Sequence, residues 1–445
     1  MTAATAATTS WRRALDAARP ERTGTVKAVR GLGIEVLGLD AAVGDRVRID
    51  AAQGRTVDAE IVAVDGASAR CMPLGRLDGI TARARVRHGG APLQVPIGPA
   101  LLGRVLDGLG RPIDGKGPLG ANTAFVSLDH DAPSIMDRRR IDEQLSLGVR
   151  VLDTMTPVGT GQRLGLFAGS GVGKSSLMSM IARGSAADVT VIALVGERGR
   201  EVREFLEDDL GPEGLARSVV VVATSDQPAM ARLRSAFVAT RIAEGFRDDG
   251  RDVVLMMDSL TRVAMAQREI GLSAGEPPAT RGYPPSTFSV LARLLERAGT
   301  GTTGSITGLY TVLVDGDDHN EPIADAARGI LDGHVVLDRA LAIRGHFPAV
   351  DVLGSVSRVV SKITTPEQRG HAVTLRSVLA ARRSANDLID IGAYRQGANP
   401  LVDAALAHDE SISRFLTQRM DDLTASDDSW QQLAALITDF GGLTP

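Results

Sequence analysis

The fold class of this 445-residue chain follows from the segment Arg163–Leu177, RLGLFAGSGVGKSSL. An apolar strand ending at Phe167 precedes a glycine-rich turn, and a helix is predicted to begin at Lys174. Because glycine adopts backbone angles that other residues avoid, the turn can curl until consecutive N–H groups point at one set of phosphate oxygens. The positive end of the helix dipole favours the same anion. The segment therefore predicts a loop that binds the phosphates of ATP.

The predicted nucleotide-binding residues belong to this loop and to the first helical turn. Lys174 is expected to bridge the β- and γ-phosphates, and the Ser175 hydroxyl is expected to ligate Mg²⁺. The pattern GxxxxGK[ST] is met except at its first glycine, which is Ala168 here. The alternative is a glycine-rich turn that binds no ligand. The full predicted set is Gly169, Ser170, Gly171, Val172, Gly173, Lys174, Ser175 and Ser176.

Strand candidates alternate with helical stretches between Leu145 and Ser361, which is typical of a parallel sheet covered by helices. The predicted strands are Arg163–Ala168, Val189–Val195, Ser218–Ala223, Val253–Asp258 and Leu309–Val314. Gly103–Leu119, which is dense in Gly and Pro, is predicted to be a connector.

The regions on either side of this sheet have different patterns. Short β-branched runs near the N-terminus predict a small antiparallel barrel; these runs are Thr25–Val29, Ile34–Leu37, Arg46–Ile49 and Ala59–Val64. Beyond Thr365, the periodic segments Glu367–Ile391 and Pro400–Arg419 predict helices. The predicted domains are a partner-binding segment at 1–22, a barrel at 23–95, an ATP-binding domain at 96–364 and a helical domain at 365–445. Within the first segment, Trp11–Ala18 is either a docking helix or a frayed terminus.

An acid and a base follow the strand Val189–Val195, in the run VIALVGERGREV. Ligands of open α/β sheets bind outside the carboxyl ends of the strands. Glu197 is therefore placed to orient or deprotonate an attacking water, and Arg198 to neutralise charge on the γ-phosphate. The alternative is a surface salt-bridge cluster, because Glu201 and Arg203 are close in sequence.

Asp258 ends a continuously apolar strand, as the magnesium-binding aspartate of phosphate-loop ATPases does. Any strand can end in Asp, so the prediction depends on the phosphate loop upstream. Arg358, in the run GSVSRV, could reach the γ-phosphate of a neighbouring subunit, but nothing in the local spacing demands this, and the pattern alone favours a surface arginine.

Composition limits the other classes of function. The net charge of −4 and the aromatic fraction of 3% do not favour binding to nucleic acid. Cys71 is the only cysteine in the sequence, so an internal disulfide is excluded and a cytoplasmic setting is expected. The N-terminus has no apolar signal-peptide core, and no run of eighteen apolar residues predicts a membrane span.

Three stretches resemble the rotary ATPase superfamily: the phosphate loop with Glu197, the segment Glu276–Ser286 (EPPATRGYPPS), and Gly304–Leu337. The similarity extends from about Gly24 to about Ala405. Within the superfamily the chain resembles the type III protein export ATPases, and among them the flagellar branch. The runs FAGSGVGKS and GERGREVREF carry that finer similarity.

This resemblance implies a multidomain α/β protein with an N-terminal β-barrel, a central RecA-like parallel-sheet ATPase domain and a C-terminal helical domain, assembled as a homohexamer. It implies that Glu197 is the catalytic glutamate, that Asp258 acts on Mg²⁺, and that Arg358 is an arginine finger supplied across a subunit interface. Phe347, where relatives often have tyrosine, is expected to stack on adenine.

The resemblance also implies partners: a regulatory protein at the N-terminal segment, a central stalk protein, and an export gate with chaperone–cargo complexes. The expected location is the cytoplasm, peripheral at the inner face of the cell membrane. Flagellar export and secretion through an injection needle both fit. The rival hypotheses are a catalytic subunit of a proton-coupled ATP synthase and a nucleic-acid-dependent helicase ring, and the composition speaks against the second.

Overall fold

The computed structural model describes residues 22–89, 92–121, 123–314 and 321–441, and it divides into two compact units. The first contains the described residues up to Leu93 together with Leu272–Glu276, and the second contains Gln94–Gly271 and the residues from Pro277 onwards. The predicted docking helix Trp11–Ala18 lies outside the described residues.

The first unit contains a closed barrel of six strands in the order β1-β2-β5-β4-β3-β6. Buried and more exposed side chains alternate in β1 and β3, and Ile34 and Val36 of β2 point into the core and are fully buried. The barrel prediction is confirmed, although β5 and β6 were not among the predicted strands. The strands are β1 (Thr23–Arg30), β2 (Gly33–Leu37), β3 (Arg46–Asp50), β4 (Thr56–Asp65), β5 (Ser68–Pro73) and β6 (Arg85–His88).

The second unit is built on a sheet in the order β19-β18-β12-β17-β15-β13-β14-β8. Its strands run parallel except at the edge, where β19 pairs antiparallel with β18, and at β16, which pairs antiparallel with β17. The strands of this unit are β7 (Gln94–Ile97), β8 (Val105–Asp107), β9 (Ala124–Ser127), β10 (Gln144–Leu145), β11 (Val158–Gly159), β12 (Arg163–Ala168), β13 (Val189–Glu197), β14 (Ser218–Thr224), β15 (Asp252–Asp258), β16 (Gly299–Thr300), β17 (Ser305–Leu313), β18 (Gly333–Leu337) and β19 (Val350–Ser357).

The central strands are buried on both faces, as their continuous apolar runs predict: every residue of β13 before Glu197 is buried. One part of the sequence interpretation was wrong. The segment Gly103–Leu119 is not only a connector, because β8 lies within it and pairs with β14 at the edge of the sheet.

The helices cover both this sheet and its carboxyl edge. They are α1 (Arg150–Met155), α2 (Lys174–Gly184), α3 (Gly199–Glu204), α4 (Gly211–Ala216), α5 (Ala229–Asp248), α6 (Leu260–Ala274), α7 (Pro285–Glu296), α8 (Pro322–Ile330), α9 (Arg339–Ile343), α10 (Val360–Ile363), α11 (Pro366–Asp390), α12 (Pro400–Ala407), α13 (Asp409–Leu416) and α14 (Ser426–Asp439). A π-helical turn, Phe205–Leu210, joins α3 to α4. No helix in the described part of the chain is both long and apolar enough to cross a bilayer.

The C-terminal helices α11–α14 share one hydrophobic core with the sheet. Leu375 of α11, Phe415 of α13 and Leu433 of α14 belong to the same buried cluster as the sheet residues Leu166 and Ile192. Helix α11 begins with a capping box between Thr365 and Gln368. The predicted helical segment Pro400–Arg419 forms two helices instead of one, because α12 ends before His408.

Candidate active site

The carboxyl ends of β12, β13 and β15 lie at the same edge of the sheet because these strands are parallel to one another through β17. The phosphate loop leaves β12 after Ala168 and enters α2 at Lys174. Gly171 and Gly173 have φ angles of 76° and 88°, in the left-handed region where glycine is favoured. The predicted strand–loop–helix arrangement is therefore present.

Lys174 lies between two carboxylates from the neighbouring strand ends. Its Nζ is 2.5 Å from Oδ1 of Asp258 and 3.9 Å from Oε1 of Glu197. The Asp258 side chain is only 5% exposed and the Glu197 side chain 12%. The structure thus brings together the three predicted residues that were expected to act on phosphate, metal and water.

Glu197 reaches this position through an irregularity in β13. The pairing of β13 with β14 shifts at Gly196, whose φ is 71°. On the outer side of Glu197, the Nε of Arg262 is 4.0 Å from Oε1. Burial, together with the nearby Asp258 carboxylate, raises the pKa of Glu197 to about 7, although Lys174 and Arg262 act in the opposite direction.

Thr311 was missed by the sequence analysis. Its hydroxyl in β17 donates to Oδ1 of Asp258 at 2.8 Å, and the residue is fully buried. The hydroxyl orients the Asp258 carboxylate toward Lys174. The sequence signal for Thr311 is a lone polar residue in the apolar run LYTVL. This run belongs to the predicted strand that comes next along the chain after the strand ending in Asp258.

The oxygen atoms near the loop suit a magnesium ion. Mg²⁺ prefers carboxylate and hydroxyl oxygens together with substrate phosphates. Asp258 supplies a buried carboxylate, and Ser175, the second residue of α2, is exposed at the start of the helix. Their role as ligands of the metal ion stays a prediction.

Phe347 lies beside the loop, as the predicted adenine-stacking role requires. A Cβ built on Gly173 would be 3.2 Å from the Phe347 ring, so the ring and the loop are in close contact. Phe347 is 43% exposed and lines a cavity of about 650 Å³ that extends to Ser176 and Leu177 of α2. An apolar cavity next to a phosphate loop is suited to a nucleobase.

Two predicted arginines lie apart from this group. The side chain of Arg198 is 78% exposed and pairs with Glu201 of the next helical turn at 3.4 Å. Arg358 follows β19 and is exposed, and its Nη2 donates to the carbonyl oxygen of Arg328 at 3.1 Å. The structure brings neither guanidinium to Lys174, and their catalytic roles stay predictions.

The chain matches two families of known proteins. The ATP synthase alpha/beta family, nucleotide-binding domain, matches residues 148–357, and the T3SS EscN ATPase C-terminal domain matches residues 364–435. The first match contains the phosphate loop, Glu197, Asp258 and Phe347.

Individual relatives agree with these matches. The chain is 52% identical to the flagellum-specific ATP synthase of Bacillus subtilis (strain 168), over 94% of this chain and 95% of the relative. It is 49% identical to the type 3 secretion system ATPase of Xanthomonas euvesicatoria, over the same shares of the two chains.

A solved structure has the same fold. This is the assembled ATPase EscN in complex with its central stalk EscO, from the type III secretion system of enteropathogenic E. coli. It superposes with a TM-score of 0.86 at 40% identity and covers 93% of this chain and 100% of the relative. The chain therefore belongs to the ATP synthase alpha/beta family, in the group of P-loop ATPases that contains the flagellum-specific and type III secretion enzymes.

Proposed function

We propose that this ATPase hydrolyses ATP to ADP and phosphate at the phosphate loop, and that the hydrolysis powers type III protein export. The observation that carries the proposal is the group Lys174, Asp258 and Glu197 at the start of α2. Flagellar export is the proposed setting, supported by the identity to the Bacillus subtilis enzyme. Secretion through an injection needle is the alternative, supported by the Xanthomonas euvesicatoria enzyme.

The residues of the loop bind and orient the triphosphate. Backbone N–H groups from Gly169 to Ser176 surround the phosphates, and Lys174 neutralises charge on the β- and γ-phosphates. Ser175 and Asp258 would hold Mg²⁺, which when bound draws negative charge from the phosphate oxygens. Charge stabilisation of this kind supplies most of the rate enhancement in phosphoryl transfer.

Glu197 positions the attacking water. Its carboxylate lies near Lys174 Nζ, on the strand next to the one that ends in Asp258, so it faces the region where the γ-phosphate is expected. A deprotonated carboxylate there accepts a hydrogen bond from water and aims its oxygen at phosphorus. Phe347 stacks on the adenine in the adjoining cavity.

Arg198 and Arg358 are proposed to act in the assembled enzyme, at an interface between two copies of the chain. Arg198 and Arg358 are exposed in one chain, which suits groups that act at an interface between copies. We propose a homohexamer in which Arg358 of one subunit reaches the γ-phosphate held by the next. The structures of assembled EscN, one of them in complex with its central stalk EscO, support an assembly and a central stalk partner.

The remaining partners follow from the proposed export role. They are a regulatory protein at residues 1–22, an export gate and chaperone–cargo complexes, with the enzyme held peripherally at the inner face of the cell membrane. We also propose the domain division 23–95, 96–364 and 365–445. The family matches support the last boundary, since one ends at 357 and the next begins at 364.

The substitution Glu197→Gln tests the proposed mechanism. The amide keeps the shape of the side chain but accepts water hydrogen bonds less strongly and carries no charge. We expect ATP binding to persist while turnover falls by at least about a hundred-fold, within the usual contribution of a general base. Steady-state phosphate release and equilibrium binding of ATP·Mg²⁺ measure the two quantities.

A matched control is Glu207→Gln, which makes the same change at an exposed acid paired with Arg203 on the surface. Its turnover should equal that of the wild type. Lys174→Ala should lose binding as well as turnover, because the ammonium contacts the phosphates in the ground state. Unchanged phosphate release by Glu197→Gln would refute the assigned role.

A further inference from the structure

The cavity beside Phe347 has a wall that comes from the C-terminal region. Residues Thr417–Asp422, which we call the wall segment, lie in the connection from α13 to α14, and all of them except Asp421 line the cavity together with Gly173 and Phe347. The wall segment lies inside the C-terminal family match, whereas Gly173 and Phe347 lie inside the nucleotide-binding match. Something must hold these two parts in register if the cavity is to keep its shape.

Gln418 makes that connection with its side chain. Its Oε1 accepts a hydrogen bond from the backbone N–H of Arg150 at 2.8 Å, and its Nε2 donates to the carbonyl oxygen of Gly148 at 2.9 Å. The same Nε2 also donates to the carbonyl oxygen of Asp422, at the far end of the wall segment. Gln418 is only 7% exposed, so these bonds form in a site largely shielded from water.

The backbone of Gln418 reaches Phe347 directly. Its N–H donates to the carbonyl oxygen of Phe347 at 2.9 Å. One residue therefore bonds the start of α1 at Arg150, the far end of the wall segment at Asp422 and the residue whose ring lines the cavity. Apart from the Gln418 side chain, the groups in these bonds are backbone atoms. The bonds therefore fix the position of the chain and not only that of mobile side chains.

Gly148, which accepts from Gln418, is itself closely packed against the helix that follows the phosphate loop. A Cβ built on Gly148 would be 2.8 Å from the Cα of Gly184, the last residue of α2. The N–H of Gly148 is held by the buried carboxylate of Asp153 at 3.1 Å. Gln418 thus attaches the wall segment to a rigid anchor, and not to a loop that could follow it.

The other residues of the wall segment contribute less to its attachment than Gln418 does. The Arg419 side chain is 84% exposed and pairs with Asp421. Two arginines also contact the segment: Arg183 of α2 donates to the carbonyl oxygen of Met420 at 2.7 Å, and Nη2 of Arg150 donates to the carbonyl oxygen of Thr417 at 3.1 Å and lies 3.6 Å from Oδ2 of Asp422. Loss of the Gln418 side chain should therefore loosen the wall locally while the core of the domain stays folded.

We propose that Gln418 is a positioning residue for the nucleoside half of ATP: it holds the wall segment and Phe347 around the base while the phosphates bind at the loop. The inference rests on the proposed ATPase function. It assigns Gln418 no part in the chemistry, because its side chain bonds the anchor and the wall segment and none of Lys174, Asp258 and Glu197. Its removal should weaken the binding of ATP in the ground state and in the transition state alike.

The test compares Gln418→Met with Gln432→Met in the full-length enzyme. Both variants replace glutamine by an apolar side chain of similar length. Gln432 is exposed on α14 and accepts from Arg150 Nη1 at 2.5 Å, so it touches the same arginine without reaching the cavity. If Gln418→Met fails to fold, Gln418→Glu replaces it, since that variant keeps the shape but turns the two donated bonds into repulsion between oxygens.

Two inhibitors separate positioning from general damage. We expect KM for ATP to rise about ten-fold in Gln418→Met while kcat stays within about two-fold, the pattern of lost uniform binding. Inorganic tripolyphosphate has no base, so its inhibition constant should not change. ADP, which has the base, should inhibit less well by the same factor as the change in KM. Gln432→Met should match the wild type in every measurement.

An unchanged KM in a folded Gln418 variant would overturn the inference. Equal weakening of tripolyphosphate and ADP would also overturn it, because the residue would then support the whole fold and not the base. These failures differ from failure of the proposed function, in which the wild-type enzyme would not hydrolyse ATP or would hydrolyse it without Lys174.

Discussion

Glu197 shows how the surroundings of one side chain set its chemistry. The carboxyl is shielded from water and has Asp258 as a neighbour, and both effects favour its neutral form. Lys174 lies nearer to Asp258 than to Glu197, at 2.5 Å against 3.9 Å, so its charge stabilises Asp258 more than Glu197. The pKa of Glu197 is therefore raised to about 7 although an ammonium group lies nearby.

The first consequence is a dependence of catalysis on pH. A carboxyl that must accept a hydrogen bond from water works only when it is deprotonated, and the pKa of Glu197 is about 7 in the free enzyme. We expect kcat/KM for ATP to fall as the pH is lowered through 7, since this parameter reports the free enzyme. Steady-state kinetics from pH 5.5 to 9 would measure it, and a flat profile between pH 6 and 8 would contradict the assignment.

The raised pKa of Glu197 also makes the free energy of unfolding depend on pH. The pKa of Glu197 is raised from 4.5 in the unfolded chain to about 7, so between these values the folded state binds the proton more strongly. The free energy of unfolding contributed by this group is therefore largest at low pH and is lost as the pH rises toward 7. Asp153, buried with a pKa of about 7, adds a parallel dependence. Glu197→Gln should remove one of the two contributions, as chemical denaturation at several pH values would show.

At the scale of single residues, the sequence predicted the site residues that belong to a recognisable motif. Lys174 and Asp258 were found because a glycine-rich turn and a strand ending in a carboxylate constrain one another. Thr311 was not found, because a single polar residue in an apolar strand indicates no chemistry until the structure pairs β17 with the strand that ends in Asp258. The surface pairing of Arg198 with Glu201 was one of the two alternatives, and only the structure shows which geometry one chain adopts.

At the scale of elements, the end of β13 positions the catalytic carboxyl through a single glycine. Gly196 has a φ of 71°, and a Cβ on it would lie 3.0 Å from the Cδ of Arg262. Both the backbone angle and the contact oppose any side chain there. The irregular pairing with β14 that turns Glu197 toward Lys174 therefore depends on this glycine.

We expect Gly196→Ala to lower kcat strongly while the free energy of unfolding falls only modestly. The left-handed angle costs about 1–2 kcal/mol for alanine, and the chain can relieve the strain by moving Glu197 away from the loop. The control is Gly199→Ala at the first residue of α3, where a Cβ would meet no atom within 4 Å and φ is not in the left-handed region. Turnover and thermal unfolding of both variants measure the effects; equal turnover in the two would show that Glu197 does not need the bend.

Strands could be predicted from the sequence where both of their faces are buried. Strands β12, β13 and β15 are buried on both faces, and their continuous apolar runs made them visible. Strand β8 has three residues and is followed by a glycine-rich stretch, and its pairing with β14 depends on distant residues. Strand β19, VDVLGSVS, is only partly buried at the sheet edge, and its antiparallel direction has no sequence signal.

At the scale of the whole molecule, the two predicted catalytic arginines bond other groups within one chain and not Lys174. Hydrolysis places additional negative charge on the γ-phosphate oxygens in the transition state, and related phosphoryl-transfer enzymes add an arginine there. Arg358 follows the edge strand β19 and is exposed, which suits a residue that serves another copy of the chain. An arginine acting across an interface suits a head-to-tail arrangement, which closes into a ring when the rotation between neighbouring subunits permits closure.

This geometry predicts rescue between two inactive enzymes. Arg358→Ala should bind ATP but lose about a thousand-fold in turnover, and Lys174→Ala should be inactive because it does not hold the phosphates. In an equimolar mixture, roughly a quarter of the interfaces join a Lys174-intact site to a neighbour that still has Arg358, and these should hydrolyse ATP. Phosphate release from the mixture, compared with each variant alone at the same total concentration, measures the rescue. If the mixture is no more active than the sum of its parts while both variants assemble, Arg358 acts within its own subunit and the ring is not needed to complete the site.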